Sequence, residues 1–212
     1  SLKFDGSGDY VDLGDQLDIT GDFTISAYIN IENSETDYPI YAKSDETYSS
    51  GSLPKGYMFY INSNGWLHFC YRLSNGGSWV AIYYDMTMNY SQWYNVAVTR
   101  SNNDIQLFID GESVASGTFS GDITFPDDVN TYIARWWNGG AGYGSNYNGL
   151  IDEVGIWNDA LTAAEVTALY NSGVALDALS NSGDYASSDS LKGYWKMEEG
   201  TGTTLTDLSG NG

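Results

Sequence analysis

The feature that most constrains the fold of this chain is an alternation of apolar and polar residues that recurs along its length. The segment "DFTISAYINIE" alternates two sets of side chains, and its apolar set is Phe23, Ile25, Ala27, Ile29 and Ile31. Successive side chains of a β-strand point to opposite faces, so this period of two is typical of a strand with one face in a core. Similar segments return every ~10–15 residues, a spacing that is typical of all-β sandwiches.

Two dipeptides predict how neighbouring strands connect. "GYMFYINSNGWLHFCYRL" contains two alternating segments around Asn64-Gly65, and "DIQLFIDGESVASG" contains Asp110-Gly111. Asn-Gly and Asp-Gly favour the positive φ angles that tight hairpin turns require. With 25 glycines and only 3 prolines, the composition also favours strands joined by polar turns. We predict an all-β fold of two antiparallel sheets, a sandwich or jelly roll.

One segment breaks this rhythm and predicts a short helix near residues 162–171. Thr162 is a good N-cap, and Glu165 follows three residues later, as in a capping box. Asn171 and Gly173 are residue types that commonly end helices. The fold is therefore expected to combine the two sheets with one short helix.

The charge of the chain excludes two classes of partner. It carries 28 acidic and 8 basic side chains and a net charge of −20, which repels nucleic-acid phosphates and anionic lipid surfaces. No stretch approaches the ~20 consecutive apolar residues of a membrane-spanning helix. We therefore expect neither nucleic-acid binding nor membrane insertion. The acidic excess itself has two interpretations, a solvated surface or oxygen-rich loops that hold divalent cations.

A longer motif ties these elements to a known family. The segment "YNGLIDEVGIWNDALTAAEVTALYNSG", residues 147–173, resembles the closing signature of the laminin-G-like, concanavalin A-like lectin/glucanase jelly-roll modules of bacterial and phage surface proteins. Upstream, "SLKFDGSGDYVDLG", "FTISAYIN" and "WYNVAVTRSNNDIQLFIDGESVASG" resemble further strands of that family in the same order. The resemblance covers nearly the whole chain and implies the same jelly-roll fold.

The C-terminal segment "LKGYWKMEEGTGTTLTDLSGNG" resembles the first strand of the same family, which normally precedes the "L-x-F-D-G" strand. We therefore predict a circularly permuted order in three parts. Residues 1–173 form a jelly roll that lacks its first strand, residues 174–190 form a linker with no fixed structure, and residues 191–212 supply the missing strand. This strand should complete the jelly roll of the same chain or of a neighbouring copy, because an empty slot exposes ladder groups and an apolar face. If the segment folds back, Tyr194, Trp195 and Met197 should be at least partly buried against the strand that starts at Leu2.

The sequence gives little support for catalysis. The resemblance extends in architecture to glucanases, which place two Glu and one Asp at alternate positions of one strand so that the two catalytic carboxylates share a face. The chain has no such triplet, and the adjacent Asp152 and Glu153 should point to opposite faces. The single histidine, His68, has no matching nucleophile motif. We expect a module that is not an enzyme.

The resemblance also implies a structural calcium ion, since jelly-roll modules of this kind often use Ca²⁺ to tie the loop of the first strand to the body. Calcium takes about six to eight oxygen ligands. The candidates are Asp207 and Asn211 in "TDLSGNG", Asp152 in the "IDEV" strand, and Asp5 as an outside candidate. The alternative is that Asp207 and Asn211 only form Asx turns and that Asp152 caps a buried backbone group.

Aromatic residues in loop-like settings predict a glycan-binding surface. Sugar rings present an apolar C–H face that stacks on Trp or Tyr, while Asn and Arg side chains bind the hydroxyls. The segment "ARWWNGGAGYGSNYNG" supplies six candidates for ligand binding, namely Arg135, Trp136, Trp137, Tyr143, Asn146 and Tyr147. The alternative is that one Trp of the pair packs in the core and the other covers a sheet edge.

A second candidate surface lies on the strand "WLHFCYRL", whose alternation separates two sets of side chains. One set is expected to fill the core: Leu67, Phe69, Tyr71 and Leu73. The other set is then expected to face outward: Trp66, His68, Cys70 and Arg72. Three further tryptophans lie within strand patterns and are expected in the core, namely Trp93, Trp157 and Trp195.

Together these features predict a non-catalytic extracellular carbohydrate-binding or adhesion module of a large, repeat-containing surface or virion protein. The expected partner is a glycan or cell-surface polysaccharide, and tandem repeats are expected to allow self-association. One alternative is a structural spacer repeat with no small ligand. A weaker alternative is a glycoside-active enzyme with an unrecognised site. Residue patterns alone do not decide among them, because function depends on the geometry of a site rather than on the fold.

Overall fold

The structure is a computed structural model that describes residues 1–32, 37–45, 55–72, 79–119, 121, 123–125, 129–137 and 143–211. Of residues 45, 55, 79, 137, 143 and 144 it describes the backbone only. Two antiparallel sheets make up most of the fold, with a two-stranded ribbon and one short α-helix beside them. The predicted all-β, two-sheet sandwich with one short helix is confirmed.

The first sheet, called sheet A, has seven strands. In spatial order its main path is β1 (Leu2–Asp5), β14 (Asn148–Trp157), β3 (Phe23–Ile31), β8 (Trp93–Ser101), β9 (Asp104–Ile109) and β10 (Glu112–Thr118). The seventh strand, β15 (Leu191–Trp195), also pairs with β14. Because β3 occupies one edge of β14, β1 and β15 lie end to end along the other edge.

The second sheet, called sheet B, has six strands. In spatial order they are β2 (Val11–Asp12), β11 (Tyr132–Ile133), β4 (Tyr38–Asp45), β5 (Lys55–Ile61), β6 (Leu67–Arg72) and β7 (Trp79–Tyr84). The separate ribbon pairs β12 (Arg135–Trp137) with β13 (Tyr143–Asn146). The helix α1 spans Ala163–Tyr170. Among the described residues, none of the helices is both long and apolar enough to cross a bilayer.

The core lies between the two sheets and follows the alternation read from the sequence. Ile25 and Ile29 of β3 enter it from sheet A, and Phe59 of β5 enters it from sheet B. Aromatic rings meet across the interface, since Phe23 stacks on Tyr57 with 5.6 Å between the ring centroids. Each large apolar side chain buried in this way contributes roughly 1.5–3 kcal/mol to folding. The sandwich therefore has an ordinary hydrophobic core.

The helix α1 begins and ends as predicted. Thr162 is its N-cap, and the side chains of Thr162 and Glu165 accept each other's backbone N–H groups in a capping box. Asn171 ends the helix in the left-handed conformation, at φ 44°. Glu165 Oε1 also accepts hydrogen bonds from the Ala186 N–H at 3.3 Å and the Ser187 hydroxyl at 2.5 Å. Burial alone would raise the pKa of Glu165, but these hydrogen bonds outweigh it and hold the pKa below its ordinary value.

The stretch after the helix, residues 174–190, is not the unstructured linker that the sequence predicted. Its small apolar patch packs in a cluster on sheet A, where Ala178 and Tyr185 are only 2% and 1% exposed. The indole N–H of Trp157 donates to the Tyr185 hydroxyl at 3.0 Å, and that hydroxyl donates to the Ala178 carbonyl at 2.8 Å. A buried indole N–H needs an acceptor, and this segment supplies it.

The helix α1 and the loop before it also cover sheet A, which explains why β3 is buried on both faces. The Thr24 hydroxyl donates to the Asp159 carbonyl and accepts the Leu161 N–H, both at 2.9 Å. The Tyr28 hydroxyl donates to the Tyr170 carbonyl at 2.6 Å. The polar set of this strand thus anchors α1 and its leading loop to the outer face of sheet A.

The three tryptophans expected in the core have different positions. Trp157 and Trp195 are 1% and 4% exposed, as predicted. Trp93 is 40% exposed, so the prediction for it is wrong. Trp93 is the first residue of β8, and only the interior of that strand is buried.

The C-terminal strand lies close against β14. Tyr194 is opposite Gly155 and Trp195 is opposite Val154, and Tyr194 is only 1% exposed. The Trp195 ring lies directly over Gly193, where any side chain would collide with it. A glycine two residues before the tryptophan is therefore needed for this packing.

Candidate functional site

The outer face of sheet B is the face turned away from the core. Leu67, Phe69 and Tyr71 of β6 point inward and are at most 1% exposed, as predicted. Leu73 lies outside the described residues. Because side chains alternate along a strand, the residues between these point outward. They include Met58 and Tyr60 of β5, His68, Cys70 and Arg72 of β6, and Ala81 and Tyr83 of β7.

A row of rings crosses this outer face. Tyr60, His68 and Tyr83 lie directly opposite one another on β5, β6 and β7. The ring centroids of Tyr60 and His68 are 5.0 Å apart, and those of His68 and Tyr83 are 5.1 Å apart. Trp66 stacks on Tyr83 at 6.0 Å with an interplanar angle of 11°, and Trp136 meets Tyr60 edge-on at 5.1 Å. We refer to these five residues as the aromatic row.

The ribbon brings Trp136 onto sheet B, because β12 contacts β4. The Trp136 ring packs against Ala42, Met58 and Cys70, which lie in register across β4, β5 and β6, and is 8% exposed. Ala81 continues the same register on β7 and is exposed. A floor of mostly small side chains therefore runs from beneath Trp136 to the open edge of the sheet.

The aromatic row becomes more open toward the edge strand β7. Tyr83 is 52% exposed, whereas Tyr60, Trp66 and His68 are half-buried. Rings that are held by stacking on their neighbours lose little side-chain freedom when a ligand binds. Such rings suit the apolar face of a sugar, and the tyrosine hydroxyls suit its polar groups.

His68 is held in one protonation state by its neighbours. The Asn62 carboxamide oxygen accepts the backbone N–H groups of Asn64 and Trp66 at 2.9 and 3.0 Å, which fixes the orientation of the amide. Its nitrogen then donates to His68 Nε2 at 3.0 Å, so the proton of the neutral ring is on Nδ1. Burial lowers the pKa of His68 against the opposing field of Asp37. The ring is therefore neutral at pH 7.

Arg135 faces a different set of rings from its neighbour Trp136. Its guanidinium carbon lies 3.2 Å from the centroid of the Tyr10 ring and 4.5 Å from that of the Tyr132 ring. Arg135 is 4% exposed. Its charge is thus used in cation–π contacts within the protein, rather than being open to a ligand.

The remaining ligand candidates lie in several environments. Trp137 and Tyr143 are paired across the ribbon, and their side chains are not described. Asn146 is opposite Arg135 and is half-buried. Tyr147 is fully buried, with its ring 5.8 Å from that of Tyr38, so it belongs to the core instead of a ligand surface. The loop-like sequence around Tyr147 did not reveal that its side chain points into the core.

Two of the calcium candidates close the free edge of β15. Asp207 Oδ1 accepts the N–H groups of Tyr194 and Ser209 at 3.0 and 2.8 Å, the second bond being an Asx turn. Asn211 Nδ2 donates to the Leu191 carbonyl at 3.0 Å. These side chains act as hydrogen-bonding partners for an edge strand that would otherwise present unpaired backbone groups.

The other two calcium candidates lie elsewhere. Asp5 is opposite Asn148, and Asp152 is four residues further along β14, about 13 Å away at the rise of a strand. Burial raises the pKa of Asp152 against the opposing effect of the N-terminal amine of Ser1, which is 3.3 Å from its Oδ1. Among the described residues, there is no group of three or more His, Cys, Asp or Glu that could hold a metal ion. The four candidates as placed do not fit a calcium site, and calcium stays a prediction.

Glu153 is the most unusual carboxylate on sheet A. It lies at an irregularity in the pairing of β14 with β3 and has φ 49°, which is rare for a residue with a side chain. Burial raises the pKa of Glu153, although the hydrogen bond from the Tyr194 hydroxyl opposes this effect. The cavity beside it measures about 10 Å³, which leaves room for no more than one water molecule. A sugar substrate does not fit there.

A cleft of about 570 Å³ lies between β1, residues 9–13 and residues 199–205. Tyr10, which is 42% exposed, forms part of its wall. Asp9 and Glu199 are also among its lining residues. The cleft is large enough for a small ligand, but its exposed ring already contacts Arg135.

A match to a family model decides the family of the chain. Residues 5–167 match the model described as the concanavalin A-like lectin/glucanases superfamily, which is more than half of the chain. The chain belongs to this superfamily. The matched range ends within α1, so β15 and the segment that leads to it lie beyond it. No curated protein shows a sequence match to this superfamily member.

Solved structures share the fold of this superfamily member at low sequence identity. The CBM40 of the Ruminococcus gnavus IT-sialidase, bound to α2,3-sialyllactose, has a TM-score of 0.68 and 16% identity over 80% of this chain and 95% of that chain. A candidate carbohydrate-binding protein of Bacteroides ovatus has a TM-score of 0.71 and 18% identity over 99% and 57%. Domain 4 of AbnA, a GH43 extracellular arabinanase of Geobacillus stearothermophilus in complex with arabinotriose, has a TM-score of 0.59 and 21% identity over 76% and 72%. At these identities the likeness establishes the fold alone.

Proposed function

We propose that this chain is a non-catalytic glycan-binding module and that the aromatic row is its binding surface. The observation that carries the proposal is the row itself. Its rings are fixed by stacking across three strands, and the row ends in Tyr83, which is 52% exposed. An exposed cluster of aromatic side chains on a soluble domain commonly marks an interaction surface.

The alternative surfaces are less suited to a sugar. The guanidinium of Arg135 is packed against tyrosine rings, and Tyr147 is fully buried. In the cleft, the exposed ring of Tyr10 already has Arg135 on one face. The aromatic row, by contrast, presents several rings together.

The superfamily and the neighbouring structures support a carbohydrate ligand. The description of the superfamily includes lectins. Two of the neighbouring structures are complexes with sialyllactose and arabinotriose. The proposal includes an extracellular setting, on a cell or virion surface, in which the module serves adhesion as one of several repeats. One neighbour comes from an enzyme that is itself described as extracellular.

The proposal also includes closure of the sandwich by the protein's own C-terminal segment. The hydrogen bonds of β15 with β14 and the burial of Trp195 support this arrangement. The packed segment 174–190 supports closure within one chain, because it is held to the helix through Glu165 and leaves little slack for exchange with a second copy. Sedimentation velocity is expected to show a monomer, and a stable dimer would instead support exchange between copies.

The experiment is a polysaccharide pull-down and a glycan array with the wild type and three variants. Tyr83→Ala and Trp66→Ala should each weaken binding by at least about tenfold, because each removes a stacking surface. Trp93→Ala is the matched control, since Trp93 is also an exposed tryptophan but lies on sheet A. It should bind like the wild type. Equal losses in all three variants would contradict the assignment of the site.

The spacer interpretation has its own signature. A spacer repeat should give a blank glycan array and a blank pull-down together with association that increases with concentration in sedimentation. A binding module should give the opposite pair of results. The two outcomes can therefore be separated with the unmodified protein.

A further inference from the structure

The distribution of charge points to the class of glycan. We propose that the aromatic row accepts uncharged saccharides and discriminates against saccharides that carry carboxylate or sulfate groups. This inference rests on the proposed function and names the ligand class of the same surface. The proposed ligand class differs from the acidic sugar, α2,3-sialyllactose, that is bound in the neighbouring CBM40 structure.

The arginines of the chain are committed to internal contacts. Acidic sugars are commonly held by accessible guanidinium groups that pair with two oxygens at once. Arg72, Arg100 and Arg135 are only 8%, 5% and 4% exposed. Arg100 donates to the Thr20 carbonyl at 2.7 Å and to the Gly121 carbonyl at 3.1 Å. Turning Arg100 or Arg135 toward a ligand would break these internal contacts, and Arg72 is likewise engaged.

The lysines are similarly engaged. Lys43 is 0% exposed and its ammonium lies 2.7 Å from Asp15 and 2.6 Å from Asp18. Lys3 and Lys196 are paired with carboxylates at 2.8 and 2.9 Å. Both of these ion pairs lie beside sheet A. Two lysines remain: Lys192 is in β15 of sheet A, and the side chain of Lys55 lies outside the described residues.

The field close to the aromatic row is negative. His68 is neutral, as its hydrogen bond from Asn62 requires. The Asp37 carboxylate accepts the Ser63 N–H at 2.9 Å in the turn that leads to Trp66, and its field acts on His68. The net charge of −20 adds to this field. Among the described side chains, an acidic sugar on the row would therefore meet like charge without an available cation, a repulsion that low salt leaves unscreened.

The test compares two matched pairs on one array, lactose with its sulfated form and lactose with sialyllactose. Arabinotriose is included as a further neutral ligand. Binding is measured at about 20 mM and 500 mM salt, where the screening length differs several-fold. The neutral member of each pair should bind at least ~10 times more tightly at low salt, and the difference should shrink at high salt. Tighter binding of the acidic member at low salt would overturn the inference and leave the binding function intact. A blank array at both salt concentrations would overturn the binding function and the inference together.

A pair of variants tests the local origin of the discrimination. Asp37→Asn removes the negative charge near His68 and keeps an oxygen that can accept the Ser63 N–H. Asp22→Asn is the matched control: it makes the same change in net charge, and Asp22 accepts a backbone N–H from Asn102 beside sheet A. Asp37→Asn should raise acidic-glycan binding at low salt about two- to threefold more than Asp22→Asn does. Equal effects of the two variants would overturn the assignment to the row.

Discussion

The outer faces of the two sheets have opposite characters. On sheet A, α1 and residues 174–190 cover a cluster that buries Phe108, Trp157 and Tyr194. On sheet B, Trp136 is folded down onto the face, and the row beside it ends in Tyr83 at 52% exposure. Both faces carry large aromatic side chains. Aromatic content alone therefore does not distinguish a packed surface from one that can receive a ligand.

The polar atoms of the aromatic side chains sharpen this difference. On the covered face, the Trp157 N–H reaches the Tyr185 hydroxyl, the Tyr28 hydroxyl reaches the Tyr170 carbonyl, and the Tyr194 hydroxyl reaches Glu153. Each of these three polar groups has a partner from inside the protein, as burial requires. The open face of sheet B instead presents rings whose stacking continues to an exposed edge. Coverage, rather than residue type, decides which face can bind.

The largest expected effect comes from breaking the edge that completes sheet A. Trp195→Ala removes a 4% exposed ring from the core and should lower the free energy of unfolding by about 3–5 kcal/mol in urea titrations. Trp93→Ala, at a 40% exposed position, should cost less than about 1 kcal/mol. Equal costs would mean that β15 does not help to form the core in solution.

A smaller effect should come from the cover itself. Tyr185→Phe removes the acceptor of the Trp157 N–H and the donor to the Ala178 carbonyl, both of them buried. Leaving these groups without partners should cost about 1–3 kcal/mol. Tyr83→Phe on the open face should change stability by less than about 0.5 kcal/mol. Thermal and urea unfolding of the two variants would show whether the faces differ as described, and similar costs would contradict it.

A pH series should isolate the contact between α1 and its cover. The pKa of Glu165 lies below its ordinary value of about 4.3, so the unfolded state binds the proton more readily. The stabilisation is therefore present above about pH 4.3 and is lost as the pH falls through the folded-state pKa. Glu165→Gln should cost about 1–2 kcal/mol at pH 7, and the gap from the wild type should narrow below about pH 4. Exposed Glu112→Gln is the control, and a gap that stays constant with pH would contradict the role of the charge.

The sequence predicted those parts of the fold that depend on local patterns. The alternation in β3 assigned Ile25 and Ile29 to the core, and Thr162 with Glu165 located the start of α1. The prediction failed for residues 174–190, where a small apolar patch in a polar stretch gives no periodic signal. Their packing depends on Trp157, whose buried N–H needs a distant acceptor. Such a requirement becomes visible only when the chain is folded.

The candidate site was predicted in pieces. Trp66 and His68 were placed outward by alternation, and Trp136 was selected from its loop-like setting. Tyr60 lies opposite His68, whereas a two-residue turn at Asn64-Gly65 would have set it opposite Phe69, so the turn motif alone did not predict this pair. Tyr83 was not selected, although Asn75-Gly76 lies between β6 and β7 and a two-residue turn there would set Tyr83 opposite His68. The aromatic row therefore depends on the register of β5, β6 and β7, which a single sequence predicts only in part.

The smallest expected effect concerns the free edge of β15, the strand that completes sheet A. Hydrogen bonds to Asp207 and from Asn211 already satisfy backbone groups there, so a chelator in metal-free buffer should shift Tm by less than about 2 °C, equivalent to under ~1 kcal/mol. Asp207→Ala should lower Tm more than the chelator does, because it removes the acceptor for two N–H groups. A larger drop that calcium reverses and magnesium does not would instead establish a calcium site.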